Sequence, residues 1–133
     1  MDRNAEMKVG GAPADVVVGA ERVINVPDAM SRLGGDRQLF DDMAGFFRED
    51  APSYMRQIES GLEKKDAFAV ALAAHTLKNM AATCGGEQTA RLAGKIEMCA
   101  RQDDLEGAAE FLPTLASAVR ALDNALSTEA PRA

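Results

Sequence analysis

The chain has 133 residues, a formal net charge of −6 and a composition that is 47% hydrophobic but only 5% aromatic. This length fits one domain, and the apolar fraction supports a core that aliphatic side chains must fill. The acidic excess, with no basic run longer than Lys64-Lys65, is unlike that of nucleic-acid-binding proteins. We therefore expect no nucleic-acid partner.

The chain contains one histidine, His75, and two cysteines, Cys84 and Cys99. A structural zinc site needs several Cys or His residues at close spacing, so no metal site is predicted. Two cysteines do not make a disulfide framework in a chain that can build a core. No apolar run approaches the roughly 18 residues of a membrane span, and the first residues lack the basic start and apolar stretch of a signal peptide. These features favour a cytoplasmic protein without a membrane partner.

Residues 1–26 differ in composition from the rest, because they are rich in glycine and contain one short β-branched run, Val16-Val17-Val18. An isolated strand of this length would leave its backbone groups unpaired. We predict that residues 1–26 form a flexible arm, whose end (Val23, Ile24 and Val26) can dock on the following domain. The domain itself is predicted over residues 27–128, with residues 129–133 as a C-terminal tail.

From Pro27 onward the hydrophobic pattern is helical. A short helix is predicted over residues 28–33, ended by Gly34-Gly35, and Asp36 is the N-cap candidate of a long helix. Pro52 is expected to kink or break that helix. The apolar stripe of the long helix is spaced by three and four residues: Phe40, Met43, Phe47, Ala51, Tyr54, Ile58 and Leu62.

Three more helices follow at short intervals. Asp66 is the N-cap candidate of a helix that runs to about Cys84, residues 87–102 form the next, and Asp103-Asp104 opens the last, which Pro113 is expected to bend. Short connections make consecutive helices antiparallel neighbours, and the three-four spacing suits near-parallel packing. We therefore predict an all-α fold: an antiparallel up-down four-helix bundle preceded by a short N-terminal helix.

The helix that carries His75 has two different faces when each residue is rotated by about 100°. One face is wholly apolar and is predicted to be core: Val70, Ala73, Ala74, Leu77, Met80, Ala81 and Cys84. The opposite face lacks the charged surface typical of a solvated helix: Phe68, Ala71, Leu72, His75, Lys78, Asn79 and Ala82. Such a face suits the docking of another protein, or else the first helix or the arm covers it.

A single outward histidine has few possible roles. General acid or base catalysis normally needs an orienting carboxylate, a nucleophile and a pocket, and one ligand holds a metal weakly. A neutral imidazole can instead act as a nucleophile and accept a phosphoryl group. Lys78 lies three residues further on the same helix face, where its charge would stabilise the phosphorylated product.

The motif around this histidine resembles the signature of histidine-containing phosphotransfer (HPt) domains. The match comprises Ala74-His75-Thr76-Leu77-Lys78, Ala81-Ala82, Gly85, Leu92 and Ile96-Glu97. The upstream stretch is also similar, at Leu33-Gly34-Gly35-Asp36, Leu39, Phe47 and Asp50-Ala51-Pro52. The resemblance covers about residues 27 to 126.

This resemblance implies a non-enzymatic helical bundle that carries a phosphoryl group on histidine between aspartates of receiver domains. It implies that His75 is the phosphoacceptor and that Lys78 supports the phosphoryl charge. Glu97 stands where some members have a glutamine that orients the imidazole. Asn79 stands where the family often has glycine, which bears on how a receiver approaches.

The expected partners are response-regulator receiver domains and a sensor or hybrid histidine kinase, with this chain a monomer. The sequence has no phosphate-binding loop of the G-x-x-x-x-G-K-[ST] type, so the chain needs no cofactor of its own and the receiver would bring Mg²⁺. Leu39 and Phe46 lie off the core stripe and either extend the docking surface or pack under the first helix. An alternative is an HPt-like adaptor that binds a receiver or kinase without being phosphorylated.

Overall fold

The computed structural model describes residues 23–129, and its regular elements there are helical. In chain order the helices are α1 (Val26–Arg32), α2 (Arg37–Glu63), α3 (Ala67–Thr83), α4 (Glu87–Arg101) and α5 (Leu105–Glu129). Helices α2 to α5 form the predicted antiparallel bundle, and α1 is the predicted short helix before it. The prediction of a flexible arm falls mostly on residues 1–22, outside the described residues, and residues 130–133 of the tail also lie outside them.

The three links within the bundle share one hydrogen-bonding pattern. Each contains a residue in the left-handed conformation, with φ of +57° at Lys65, +83° at Gly85 and +61° at Asp103. The next amide donates to the carbonyl five residues earlier, which satisfies a free carbonyl at the helix end. These bonds are each 2.8 Å long: Asp66 to Gly61, Gly86 to Ala81 and Asp104 to Cys99. The links are therefore short enough to make each pair of consecutive helices antiparallel neighbours.

Aspartate side chains begin the helices where the sequence predicts N-caps. The Oδ1 atom of Asp36 accepts from the Leu39 amide, and that of Asp66 accepts from the Ala69 amide, both at 3.0 Å. Helix α1 begins two residues earlier than predicted, because the Asn25 side chain caps it by accepting from the Asp28 amide. These caps satisfy amides that have no partner within the helix.

The core is aliphatic, with two buried phenylalanines, Phe40 and Phe47, contributed by α2. Helices α2 and α5 run unbroken past Pro52 and Pro113, so the expected break at Pro52 does not occur. Both proline side chains are exposed on the outside of the bundle. No helix among residues 23–129 combines the length and the apolar character needed to cross a membrane.

The segment that enters α1 is attached to the link between α3 and α4. Ile24 is buried, Val23 and Val26 pack against the core, and the Asn25 amide donates to the Gly85 carbonyl at 2.7 Å. A Cβ atom added at Gly85 would lie 2.5 Å from the Asn25 carbonyl oxygen. Glycine at position 85 therefore serves both the left-handed turn and the close approach of this segment.

Gly85→Ala is expected to destabilise the protein more than Gly34→Ala. Both positions have positive φ, but Gly34 has open space around its Cβ position. The left-handed backbone costs about 1–2 kcal/mol at either site, and the clash with Asn25 adds about 1–3 kcal/mol at Gly85 alone. Chemical denaturation of both variants measures the two losses, and equal losses would contradict the close approach.

Candidate functional site

His75 and Glu97 meet across the interface between α3 and α4. The Gly85-Gly86 link makes these two helices antiparallel neighbours, and α3 packs more extensively against α4 than against any other described helix. The Nδ1 atom of His75 lies 2.9 Å from Oε2 of Glu97. One tight turn therefore brings together two residues that are 22 positions apart in the sequence.

The Glu97 carboxylate is almost buried, with 8% of its side chain exposed, and both of its oxygens have charged partners. Lys78 Nζ lies 2.9 Å from Oε1. Arg101 donates to Oε2 through Nη2 at 2.7 Å and through Nε at 2.9 Å. A buried carboxylate is costly unless it is paired and hydrogen-bonded, and here Lys78, Arg101 and His75 supply the pairing.

The pKa of Glu97 follows from a competition between burial and these partners. Burial acts to raise it, but hydrogen bonds from Lys78, Arg101 and His75 lower it further than burial raises it. The pKa falls from its ordinary value of 4.5 to about 2. Glu97 is therefore an anion at neutral pH.

An anionic Glu97 determines which ring nitrogen of His75 carries the proton. The carboxylate can only accept, so the neutral imidazole carries its proton on Nδ1 and keeps a lone pair on Nε2. The side chain of His75 is 44% exposed. Asn79, one turn further along α3, places its Nδ2 atom 3.2 Å from Nε2 and donates a hydrogen bond to that lone pair. Nε2 is thus the ring nitrogen that keeps a lone pair, and Asn79 is its neighbour.

The helix face around His75 is largely as predicted. Phe68 is 77% exposed and Leu72 is 56% exposed, so α1 does not cover them. Asn79 is also exposed, and Ala82 is partly so. The placement of Ala71 on this outward face was wrong: only 6% of it is exposed. Helix α3 packs between α2 and α4, and its buried arc is wider than the predicted stripe.

Two other predicted docking residues lie on α2. Phe46 is exposed, and Leu39 is partly buried beside the Asp36 cap. Their contact with a partner stays a prediction. Among the described residues, no group of three or more His, Cys, Asp or Glu side chains could hold a metal ion.

Two residues close to Glu97, Arg101 and Met98, are absent from the site that the sequence predicts. Arg101 follows Glu97 by four residues, a spacing that places opposite charges together on a helix, and this signal was available. Met98 is exposed on α4 directly after Glu97. A helical wheel of α3 includes no residue of α4, so it cannot indicate Met98.

The model of the Hpt domain family matches residues 42–125 of this sequence. The chain belongs to the Hpt domain family. The protein is therefore a histidine phosphotransfer component of two-component signalling, whose family members interact with histidine kinases and receiver domains and act as phosphocarriers rather than catalysts.

The fold of this Hpt domain is also found in a solved structure. Histidine-containing phosphotransfer protein B (HptB) from Pseudomonas aeruginosa PAO1 superimposes with a TM-score of 0.75 and 18% sequence identity. The alignment covers 84% of this chain and 96% of the HptB chain. At this identity the likeness concerns the fold. A comparison with curated protein sequences gave no match.

The ion pairs of Glu97 should give this Hpt domain a pH-dependent stability. Because the folded pKa of about 2 is below the ordinary value of 4.5, ionised Glu97 stabilises the fold above pH 4.5, and this contribution is lost as the pH falls toward 2. Glu97→Gln lacks the titrating group. We expect the wild type to lose more unfolding free energy than Glu97→Gln between pH 5 and pH 2.5, measured by urea denaturation. Parallel curves for the two proteins would contradict this assignment.

Proposed function

We propose that this Hpt domain carries a phosphoryl group on Nε2 of His75, between a sensor or hybrid histidine kinase and response-regulator receiver domains. The observation that supports this most directly is the hydrogen bond from His75 Nδ1 to the buried, ionised Glu97. It fixes the tautomer whose lone pair is on the outward nitrogen.

In the proposed transfer, the Nε2 lone pair attacks the phosphorus of an aspartyl phosphate on the receiver. The new N–P bond forms as the P–O bond to aspartate breaks, and the aspartate leaves as a carboxylate. Positive charge develops on the imidazole ring, and Glu97 stabilises it through the Nδ1–H bond. Phosphoryl transfer depends mainly on positioning and charge neutralisation; the acidic site of the receiver would supply Mg²⁺, and this chain needs no cofactor of its own.

Lys78 would support the phosphoryl charge in this proposal. It lies one turn from His75 on α3, and its ammonium group is held at the edge of the site by Glu97 Oε1. A phosphoryl group on Nε2 brings three strong acceptor oxygens close to this cation. Lys78 has three N–H donors and can turn toward them.

The receiver would dock on the apolar surface around His75. Leu72 and Phe68 lie one and two turns before the histidine and are exposed, and an exposed apolar patch of this kind is typical of a site that another protein covers. Asn79 borders the reacting nitrogen on the other side. Its amide must leave Nε2 before transfer and can then donate to a phosphoryl oxygen.

A phosphotransfer assay tests the proposal. The purified protein is mixed with a phosphorylated receiver, or with a histidine kinase and ATP, and acid-labile label is followed. We expect label on the wild type and none on His75→Gln, because His75 is the only histidine in the chain. Stable binding of a cognate receiver without any label would overturn the proposal in favour of the non-phosphorylated adaptor.

Lys78→Ala should slow transfer without unfolding the bundle. Loss of one charge-assisted hydrogen bond to the phosphoryl group corresponds to about a tenfold to hundredfold lower rate. Glu97 keeps Arg101 and His75 as partners, so the melting temperature should change little. Lys64→Ala, an exposed lysine at the end of α2, controls for the loss of one positive charge. A large fall in melting temperature for Lys78→Ala would show that the lysine is structural.

A further inference from the structure

Arg101 is the partner of Glu97 that neither the signature motif nor the transfer chemistry uses. Both its Nε and its Nη2 donate to Oε2, the same oxygen that accepts from His75. The arginine side chain is more than half exposed, whereas that of Glu97 is almost buried. An exposed ion pair by itself contributes little, but here the acceptor is the buried anion that orients the reacting histidine.

A carboxylate at position 97 creates an electrostatic problem for a phosphocarrier. It orients the imidazole, but its negative charge repels a phosphoryl group, which carries nearly two negative charges at neutral pH. With Lys78 as the only cation, lysine and carboxylate would cancel and leave no net positive charge for the phosphoryl group. Arg101 adds one positive charge, so the three side chains together keep a net charge of +1 beside His75.

Arg101 also solves a second problem, which concerns Lys78. In the structure Lys78 is paired with Glu97 Oε1, and it must turn toward the phosphoryl group when His75 is modified. When a buried carboxylate loses its only cation, the folded protein is strongly destabilised. Because Arg101 donates two hydrogen bonds to Glu97, the carboxylate remains paired while Lys78 turns.

Building on the proposed function, we infer that Arg101 is a positioning residue: it neutralises Glu97 and thereby frees Lys78 to bind the phosphoryl group. The role exists only because position 97 carries a carboxylate. A neutral amide there would orient the histidine without needing the arginine.

Four proteins test this inference: the wild type, Arg101→Gln, Glu97→Gln and the double variant. Phosphorylation of His75 is measured with a phosphorylated receiver and, separately, with phosphoramidate, where the N–P bond to Nε2 forms as ammonia leaves. In the Glu97 background, Arg101→Gln should slow transfer by about tenfold, because Lys78 is then the only cation left to neutralise Glu97 and the carboxylate opposes the phosphoryl charge. In the Glu97→Gln background the same change should alter the rate by less than about twofold, since the coupled partner is gone.

Equal slowing in both backgrounds would overturn the inference, since Arg101 would then act independently of Glu97. A wild-type rate for Arg101→Gln would overturn it as well. Arg91→Gln is the matched control, because it removes an exposed arginine from the same helix, ten residues earlier. It should transfer at the wild-type rate, and thermal melts should show that all variants are folded.

The two phosphoryl donors separate this inference from the proposed function. If phosphoramidate labels His75 but no receiver or kinase does, the relay proposal fails while the four-protein comparison with phosphoramidate still decides the role of Arg101. If the wild type takes label from neither kind of donor, no phosphohistidine forms and both are overturned.

Discussion

The buried carboxylate of Glu97 connects the two helices on which the site is built. It accepts from His75 and Lys78 on α3 and from Arg101 on its own helix, α4. A buried anion tolerates few arrangements, because every unpaired oxygen would be costly. The same requirement that stabilises the helix pair therefore fixes the imidazole tautomer and holds the lysine beside it.

This arrangement needs α3 and α4 in a fixed register, and the link at Gly85 provides it. The left-handed glycine reverses the chain, and the Gly86 amide bonds back to the Ala81 carbonyl. The segment before α1 then packs against this link through Asn25. The link thus lies at the C-terminal end of α3, and His75 lies near the middle of the same helix.

The helical periodicity and the N-cap aspartates were sufficient to predict the bundle, since both are local features of the sequence. They did not show that Lys65 and Asp103 adopt the left-handed conformation, because neither is glycine. The pattern around His75 indicated the outward face, but a wheel of one helix does not include its neighbours. That is why Ala71 was placed outside and why the side chain of Met98 went unnoticed, whereas the pairing of Arg101 with Glu97, four residues apart on α4, is a local signal that the sequence does carry. The partners of Glu97 depend on side-chain reach across α3 and α4, which spacing along one helix does not determine.

Asn79 and His75 are joined within a single turn of one helix, so their separation does not depend on how the bundle moves. Rotation of the Asn79 side chain is enough to break its bond to Nε2, and exposed side chains change rotamer in picoseconds to nanoseconds. Such rearrangement is far faster than the lifetime of a typical protein complex. The hydrogen bond from Asn79 to Nε2 therefore forms and breaks in a rapid pre-equilibrium. It reduces the fraction of time for which the Nε2 lone pair is free, and it adds no slow step to an encounter with a partner.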